Sequence, residues 1–292
     1  MKLLAKFSVV FILVFGAGLA AAGFLSYRFL QDDARSQVMQ EARLMMETML
    51  SARNYTTLQL KPLLEPLQAR DRSFLPQTVP AYAATESFNY LRKRYPDYAY
   101  KEATLNPTNP RDRAVDWEAD VINTFRNHSE NTELVGERDT PEGRSLFLAR
   151  PIAAGKPCLD CHDRAASAPA AMVRRYGRDN GFGWKLNEVV GAQIVSVPMS
   201  LPVGMAERAF RALLLYLAII FAVSLVLLDV LLLFTIARPV SRLSRMADQI
   251  SLGNLDAPEL PVSGKDEISV LAGSFNRMRR SLVSALKMLD SQ

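Results

Sequence analysis

The sequence predicts an α+β domain held between two membrane-spanning helices and followed by a helical coiled coil. Three observations predict this class. Phe7 to Leu25 is a run of 19 residues without a charged side chain, long enough to cross a bilayer, and a second apolar run, Ala212 to Ala237, is interrupted only by Asp229. Between them a long helical pattern gives way to short alternating segments bounded by turn residues. After the second run, apolar residues recur at alternating spacings of three and four, as in a coiled coil. The 292 residues therefore divide into an anchor helix over 1–26, a domain over 27–210, a second span over 211–237 and a tail over 238–292.

Lys2, Lys6 and the amino terminus precede the first run, and Arg238, Arg242 and Arg245 follow the second. Arg28, Arg35, Arg208 and Arg211 lie on the other side, so the charge bias toward cytoplasmic ends is small. The first run also has the basic start, apolar centre and small Ala20-Ala21-Ala22 of a cleaved signal peptide. The helical pattern continuing beyond Tyr27 favours an uncleaved anchor. Asp229 is costly inside a bilayer unless a partner in a dimer interface or water shelters it, or it reaches headgroups near the inner boundary. The net charge of +5 is spread along the chain, and no basic run suggests nucleic acid. A pI near 9.2 suits a neighbour of anionic lipid.

The domain opens with a helical stretch from about Gln31 to Leu67, with Leu44, Met45, Met49 and Leu50 as apolar positions and Pro62 and Pro66 expected to break or bend its second half. Ser87 to Lys93 reads as a short helix, Tyr98 to Leu105 as a strand, and Asn106-Pro107-Thr108-Asn109-Pro110 as a turn. Ala114 to Asn127 reads as a helix burying Trp117, Val121, Ile122 and Phe125; Glu118 and Asp120 are expected on its solvated face. Thr132 to Asp139 and Arg144 to Ile152 form a hairpin through Thr140-Pro141-Glu142-Gly143. Val189 to Pro198 is an apolar strand leading back to the membrane.

The most specific chemistry lies between these strands, on an expected loop. Cys158-Leu159-Asp160-Cys161-His162 contains both cysteines of the chain, separated by two residues, with a histidine directly after. This C-x-x-C-H spacing is the attachment signature of c-type haem. The two thiols form thioethers to the vinyl groups, and His162 becomes the proximal iron ligand. A Cys158–Cys161 disulfide or redox dithiol competes, but neither needs His162. A structural zinc site needs four ligands, and the second histidine, His128, is distant. Chance adjacency is the remaining alternative. Haem c is attached outside the bacterial cytoplasm, which is the stronger argument for an exported middle segment.

In the tail, Arg238-Pro239 follows the span at once, and Val240, Leu243, Ala247 and Ile250 lead to Gly253, which ends a helix. A connector with Pro258, Pro261 and Gly264 follows. Asp266-Glu267 opens a second helix, acidic at its N-terminus, with Ile268, Leu271, Phe275, Met278, Leu282, Ala285 and Leu289 at heptad spacing. Two short heptad helices cannot bury their stripes alone, so a parallel homodimer with Ile268, Leu271, Phe275 and Met278 at its seam is expected. The alternative is an amphipathic pair lying on the membrane surface.

Arg238-Pro239, Gly253, Asp266-Glu267-Ile268, Leu271, Phe275-Asn276 and Met278 resemble a HAMP linker, a module that relays conformational change from a membrane sensor to an output domain. The exported part is similar to bacterial c-haem-binding sensor domains with a PAS-like fold. The resemblance is carried by residues 76–85 and 100–110, Trp117-Glu118-Ala119-Asp120, Cys158 to His162, Asn180-Gly181-Phe182-Gly183-Trp184 and Gly191-Ala192-Gln193. It implies a PAS-like antiparallel sheet, covalent haem on Cys158 and Cys161, and His162 as proximal ligand. It leaves the distal position open, and without a third cysteine a distal thiolate is excluded. His128 is one candidate, against a plain role as a surface histidine at a helix C-terminus. Met45, Met46 and Met49 are others, against core or dimer packing, and so is Met172. A vacant or water-filled position is the last. A distal methionine raises the haem potential, whereas a vacant site admits gases.

Nothing in the sequence suggests hydrolytic or transfer chemistry, and it holds no Gly-rich phosphate loop or kinase motif, so the chain is not expected to be an enzyme. It is expected to be a two-pass inner-membrane receptor with an exported haem domain. The stimulus is redox poise or a diatomic ligand such as NO, CO or O2. The output, beyond the heptads, is expected in a separate cytoplasmic kinase or similar protein. The competing classes are a membrane-tethered periplasmic electron-transfer cytochrome c, which gives no reason for the tail, and a haem enzyme such as a peroxidase.

Overall fold

The computed structural model describes residues 3–71, 73–141, 143–254, 258–262 and 264–290. Lys2, Glu142 of the expected hairpin turn and the side chain of Leu289 lie outside the described residues. The chain forms two compact units, Arg28–Ala209 and a second that combines Met1–Tyr27 with Phe210–Gln292.

In chain order the helices and strands are α1 (Leu3–Tyr55), α2 (Lys61–Asp71), α3 (Pro80–Arg92), β1 (Ala99–Thr104), α4 (Asp116–Asn127), β2 (Leu134–Thr140), β3 (Gly143–Ala153), α5 (Lys156–His162), α6 (Ala170–Tyr176), β4 (Val189–Pro198), α7 (Ser200–Leu232), α8 (Arg238–Ser251) and α9 (Glu267–Asp290). Two five-residue π-helical segments, Thr56–Leu60 and Leu233–Ala237, join α1 to α2 and α7 to α8. Each lies just ahead of a basic residue and a proline, Lys61-Pro62 and Arg238-Pro239. Proline has no N–H for the carbonyl four residues back, here Leu58 and Thr235, and its ring crowds that carbonyl; the helix widens instead of breaking. Pro62 and Pro66 therefore do not end the helical course as expected: Pro62 sits in the first turn of α2 and Pro66 inside it.

The sheet of the first unit is antiparallel throughout, in the order β1-β4-β3-β2. Its two central strands are apolar on both faces, with the two-residue alternation of a strand. Leu146 and Leu148 of β3 and Val195 and Val197 of β4 pack with Val38, Ala42, Met46 and Met49 of α1 and with Ala84 and Phe88 of α3. Ala149, Ala192 and Ile194 pack on the other face against Val121, Ile122 and Phe125 of α4, with Trp117 at the edge. Glu118 is not on the solvated face expected for it: it is buried, accepts a hydrogen bond from the Val115 backbone N–H at 3.0 Å, and pairs with Lys101 of β1 at 2.6 Å. Asp120 is exposed. Among the helices, α3 starts at Pro80 rather than Ser87, proline suiting a first helical turn, and α6 was unforeseen.

In the second unit, two helical runs, Leu4–Asp71 and Pro202–Ser251, contain stretches long and apolar enough to cross a membrane. Asp229 has a partner within the chain, Ser8, whose hydroxyl donates to Oδ1 at 2.7 Å. Phe11 stacks on Phe15 at 4.1 Å and lies near Phe221 at 6.0 Å between ring centres. In the tail, Leu243, Met246, Leu260 and Ala272 form a small core with Ile250 and Phe275 against it. Of the expected seam, Leu271 and Met278 are exposed, while Phe275 packs inside the chain. Asn276 is buried and clasps the connector at both ends of one peptide position: its amide donates to Leu260 O at 2.9 Å and accepts from Leu260 N at 3.0 Å.

Candidate haem-attachment site

Cys158, Cys161 and His162 lie on α5, a two-turn helix rather than the expected loop. Gly155 precedes it in an extended conformation, and Pro157, with its φ already helical, sits in its first turn. Both thiols are free and half-buried, three residues apart and so near one another on the helix surface. Burial pushes the Cys161 thiol up, so it rests as a thiol rather than a reactive thiolate.

His162 is held by groups distant in sequence. Its Nδ1 lies 2.7 Å from the Gly181 carbonyl and 3.4 Å from the Thr108 hydroxyl. A carbonyl can only accept, so Nδ1 carries the proton and Nε2 is left as the nitrogen for a ligand bond. Burial lowers the imidazole pKa, against the raising effect of Gly181, which keeps the ring neutral near neutral pH. The indole of Trp184 stacks on the imidazole, ring centres 4.0 Å apart and 10° from parallel. Gly181 is required for this approach: its φ is +82°, and a Cβ there would fall 2.7 Å from the Thr108 backbone nitrogen. Asn106 fixes the same residue by accepting its N–H at 3.1 Å. The turn after β1 and the Asn180–Trp184 strap thus meet at His162.

These residues open onto a cavity of about 650 Å³, within the usual range for cofactor sites. Its apolar wall includes Pro76, Val79, Ile152, Val190 and Tyr176. Its charged wall contains Arg53, Glu102, Arg111 and Asp112. Glu102 is buried, ion-paired with Arg53, and accepts from the Tyr100 hydroxyl at 2.8 Å. Burial pushes Asp112 up to about 6; Arg111 works against this and the nearby Glu102 adds to it.

Of the distal candidates, the cavity takes in Met172, which is buried. Met46 and Met49 are buried in the sheet core with Met45 packed beside them, and none of the three lines the cavity. His128 ends α4 with an exposed side chain, 3.4 Å from Glu130. Two thiols, an imidazole held at Nδ1 with Nε2 free, and a cavity with one apolar wall fit a covalently held haem. A zinc site is not matched, since no three His, Cys, Asp or Glu gather for a metal among the described residues. Sequence reasoning missed Thr108, Gly181 and Trp184 as partners of His162, although both segments were noted; the Gly-x-Gly-Trp strap was the available signal. Arg53, Glu102 and Asp112 gave none.

Fold and site together define an α+β domain that centres a thiol and imidazole motif on a cavity, in a chain with two candidate membrane spans and a helical tail. The chain belongs to the Tll0287-like family, whose model matches residues 31–198, and a HAMP domain follows at residues 231–284. A solved structure described as the cyanobacterial haem protein Tll0287 is similar at 17% identity and a TM-score of 0.41, covering 55% of this chain and 94% of its own. Curated proteins give no match.

Proposed function

We propose that this protein is a two-pass inner-membrane receptor that holds haem c in a PAS-like periplasmic domain. Cys158 and Cys161 would hold the haem through thioethers, and His162 would ligate its iron. Bound there, the haem supplies an iron that changes charge with redox poise or takes a diatomic ligand such as NO, CO or O2. The protein's own residues orient that ligand: Gly181 holds the Nδ1 proton, and the neutral imidazole is ready to coordinate. Met172 is the distal candidate that shares the cavity; without it the position is open to gas. The signal passes to the HAMP helices of a homodimer and on to a separate cytoplasmic kinase or other output protein.

The observation that carries this reading is the 2.7 Å contact of His162 Nδ1 with Gly181 O in a cavity that both cysteines line. Denaturing gels stained for haem peroxidase activity test it. The wild-type band, produced with a c-type maturation system, is expected to stain, and Cys158→Ala/Cys161→Ala to lose all stain; an unstained wild-type band overturns the assignment. The relay is tested by disulfide crosslinking at cysteines introduced at Leu271 and Met278, compared between oxidised, reduced and CO-bound protein. Equal rates in all three states favour a tethered electron-transfer cytochrome.

A further inference from the structure

Trp184 is an unusual tryptophan for a small domain. It joins none of the hydrophobic clusters and stays half-exposed. Among the described residues its one ring contact is His162. The other tryptophan, Trp117, packs on Phe147 beside the α4 core as a structural residue does. Trp184 is also tied to His162 through the backbone, its N–H donating to the His162 carbonyl at 3.2 Å, while Gly183 N donates to Asp163 O at 2.9 Å. The strap is shaped for this return: Gly181 and Gly183 both adopt positive φ, +82° and +81°. A large aromatic brought back over a single imidazole, at little gain in core burial, points to a role exerted on that imidazole.

We propose that Trp184 is a positioning residue for His162: the stack and the Gly181 carbonyl together fix the imidazole plane, and through it the bonding of a coordinated iron. This rests on the haem assignment above. The two restraints act on different parts of the ring. The hydrogen bond holds one edge at Nδ1, and the indole blocks one face, so rotation about the Cβ–Cγ bond breaks both. With Trp184 gone, the ring turns more freely and the Nδ1 contact lengthens. The Gly181 carbonyl then polarises the Nδ1–H bond less, and the imidazole becomes a poorer donor to iron. Ferric iron depends on that donation more than ferrous iron does, so the midpoint potential rises.

The test uses full-length protein in detergent, with Trp184→Leu removing the aromatic face and Trp184→Phe keeping one. In haem-free Cys158→Ala/Cys161→Ala protein, ring-labelled histidine gives two sets of signals, because the chain has only His128 and His162. Adding Trp184→Leu is expected to remove the ring-current shift from the His162 signals, leave those of His128 in place as an internal control, and be largely reversed by Phe. In the haem-loaded protein, Trp184→Leu is expected to retain the haem-stained band, raise the midpoint potential and change the g-values of the ferric electron paramagnetic resonance spectrum, with Phe close to wild type. Unchanged His162 signals, or an unchanged potential and g-values in a stained Leu variant, overturn the proposal. An unstained wild-type band overturns the haem assignment instead, and the histidine signals still decide whether the stack holds the ring. Should the Leu variant not fold, Phe against Tyr at position 184 gives the same comparison, with equal potentials expected and a divergence from wild type in both counting against the stack.

Discussion

The two compact units differ in how far they close a core of their own. In Arg28–Ala209 the side chains between the sheet and its helices are sealed, Phe88, Phe125, Ile122, Leu146 and Leu148 each keeping less than 2% of their surface exposed, although Leu44 and Leu58 stay open on the helices. In the unit of the candidate spans and the tail, Leu13 and Leu227 are exposed by 66% and 64%, and Leu271 and Met278 by 53% and 56%. The first unit covers both faces of its sheet with its own helices and needs nothing else to close a core. The second has apolar surface that, in our proposal, lipid covers over the candidate spans and a second copy covers over the tail. The candidate site thus lies in the unit with the sealed core, and the candidate spans and the tail lie in the other.

Substitutions break or sharpen that contrast. The largest effect is expected for Leu148→Ala, which leaves a hole in the sealed core and costs about 2–5 kcal/mol. Denaturant unfolding followed by tryptophan fluorescence reads this unit selectively, as both tryptophans, Trp117 and Trp184, belong to it. Leu271→Ala is expected to move the same curve by less than about 0.5 kcal/mol while slowing tail crosslinking; equal losses for the two would erase the contrast. Within the second unit, Asn276→Ala leaves both backbone groups of Leu260 unpaired, at roughly 2 kcal/mol. Faster proteolysis of the connector is the expected sign, and an unchanged rate would remove the clasp from the account.

A pH dependence sharpens the picture of the charged cavity wall. Folding raises the Asp112 pKa from 3.8 to about 6, so the folded state binds the proton more tightly than the unfolded chain. Its contribution is complete below about pH 4 and is lost as pH rises through about 6. Asp112→Asn is expected to flatten the stability curve in that window and to add on the order of 1 kcal/mol at pH 7, after allowance for solvent screening. Parallel wild-type and variant curves between pH 4 and 7 would exclude the carboxyl as the source. The smallest effect belongs to Ser8→Ala, which removes the donor to Asp229 and costs about 0.6 kcal/mol, typical of a hydrogen bond between spans. Span crosslinking across a temperature series measures it, and a loss above about 2 kcal/mol would mean that Asp229 depends on Ser8 far more than one such bond allows.

What the sequence disclosed depends on the range of the interaction. β4 falls at Val189–Pro198 as read, because a run apolar on both faces with polar flanks needs no knowledge of its neighbours. The hairpin and α4 shift by only one or two residues at their ends, since their alternation and helical period are local. α6 was invisible because seven residues are too few to establish a period. The π-helical segments were not foreseen: Pro62 was read as breaking or bending its helix, and Pro239 as following the span directly. At the site, the thiols and imidazole were legible from spacing alone. Their support was not: Gly181 acts through a backbone carbonyl, which no side chain announces, and Thr108 lies 54 residues before His162. Glu118 looked solvated because its partner, Lys101, arrives from a strand earlier in the chain.

Assembly order follows from where His162 finds its partners. Before the domain folds, Cys158 to His162 is a bare stretch, open, on the reading proposed above, to whatever machinery delivers the tetrapyrrole. Once β1 has joined the sheet and the Asn180–Trp184 strap has turned back, the imidazole is covered on one face and bonded at one edge. On the proposed reading, loading then precedes closure. A chain that folded without the tetrapyrrole would have its candidate attachment helix already engaged, and late delivery would first have to reopen the strap.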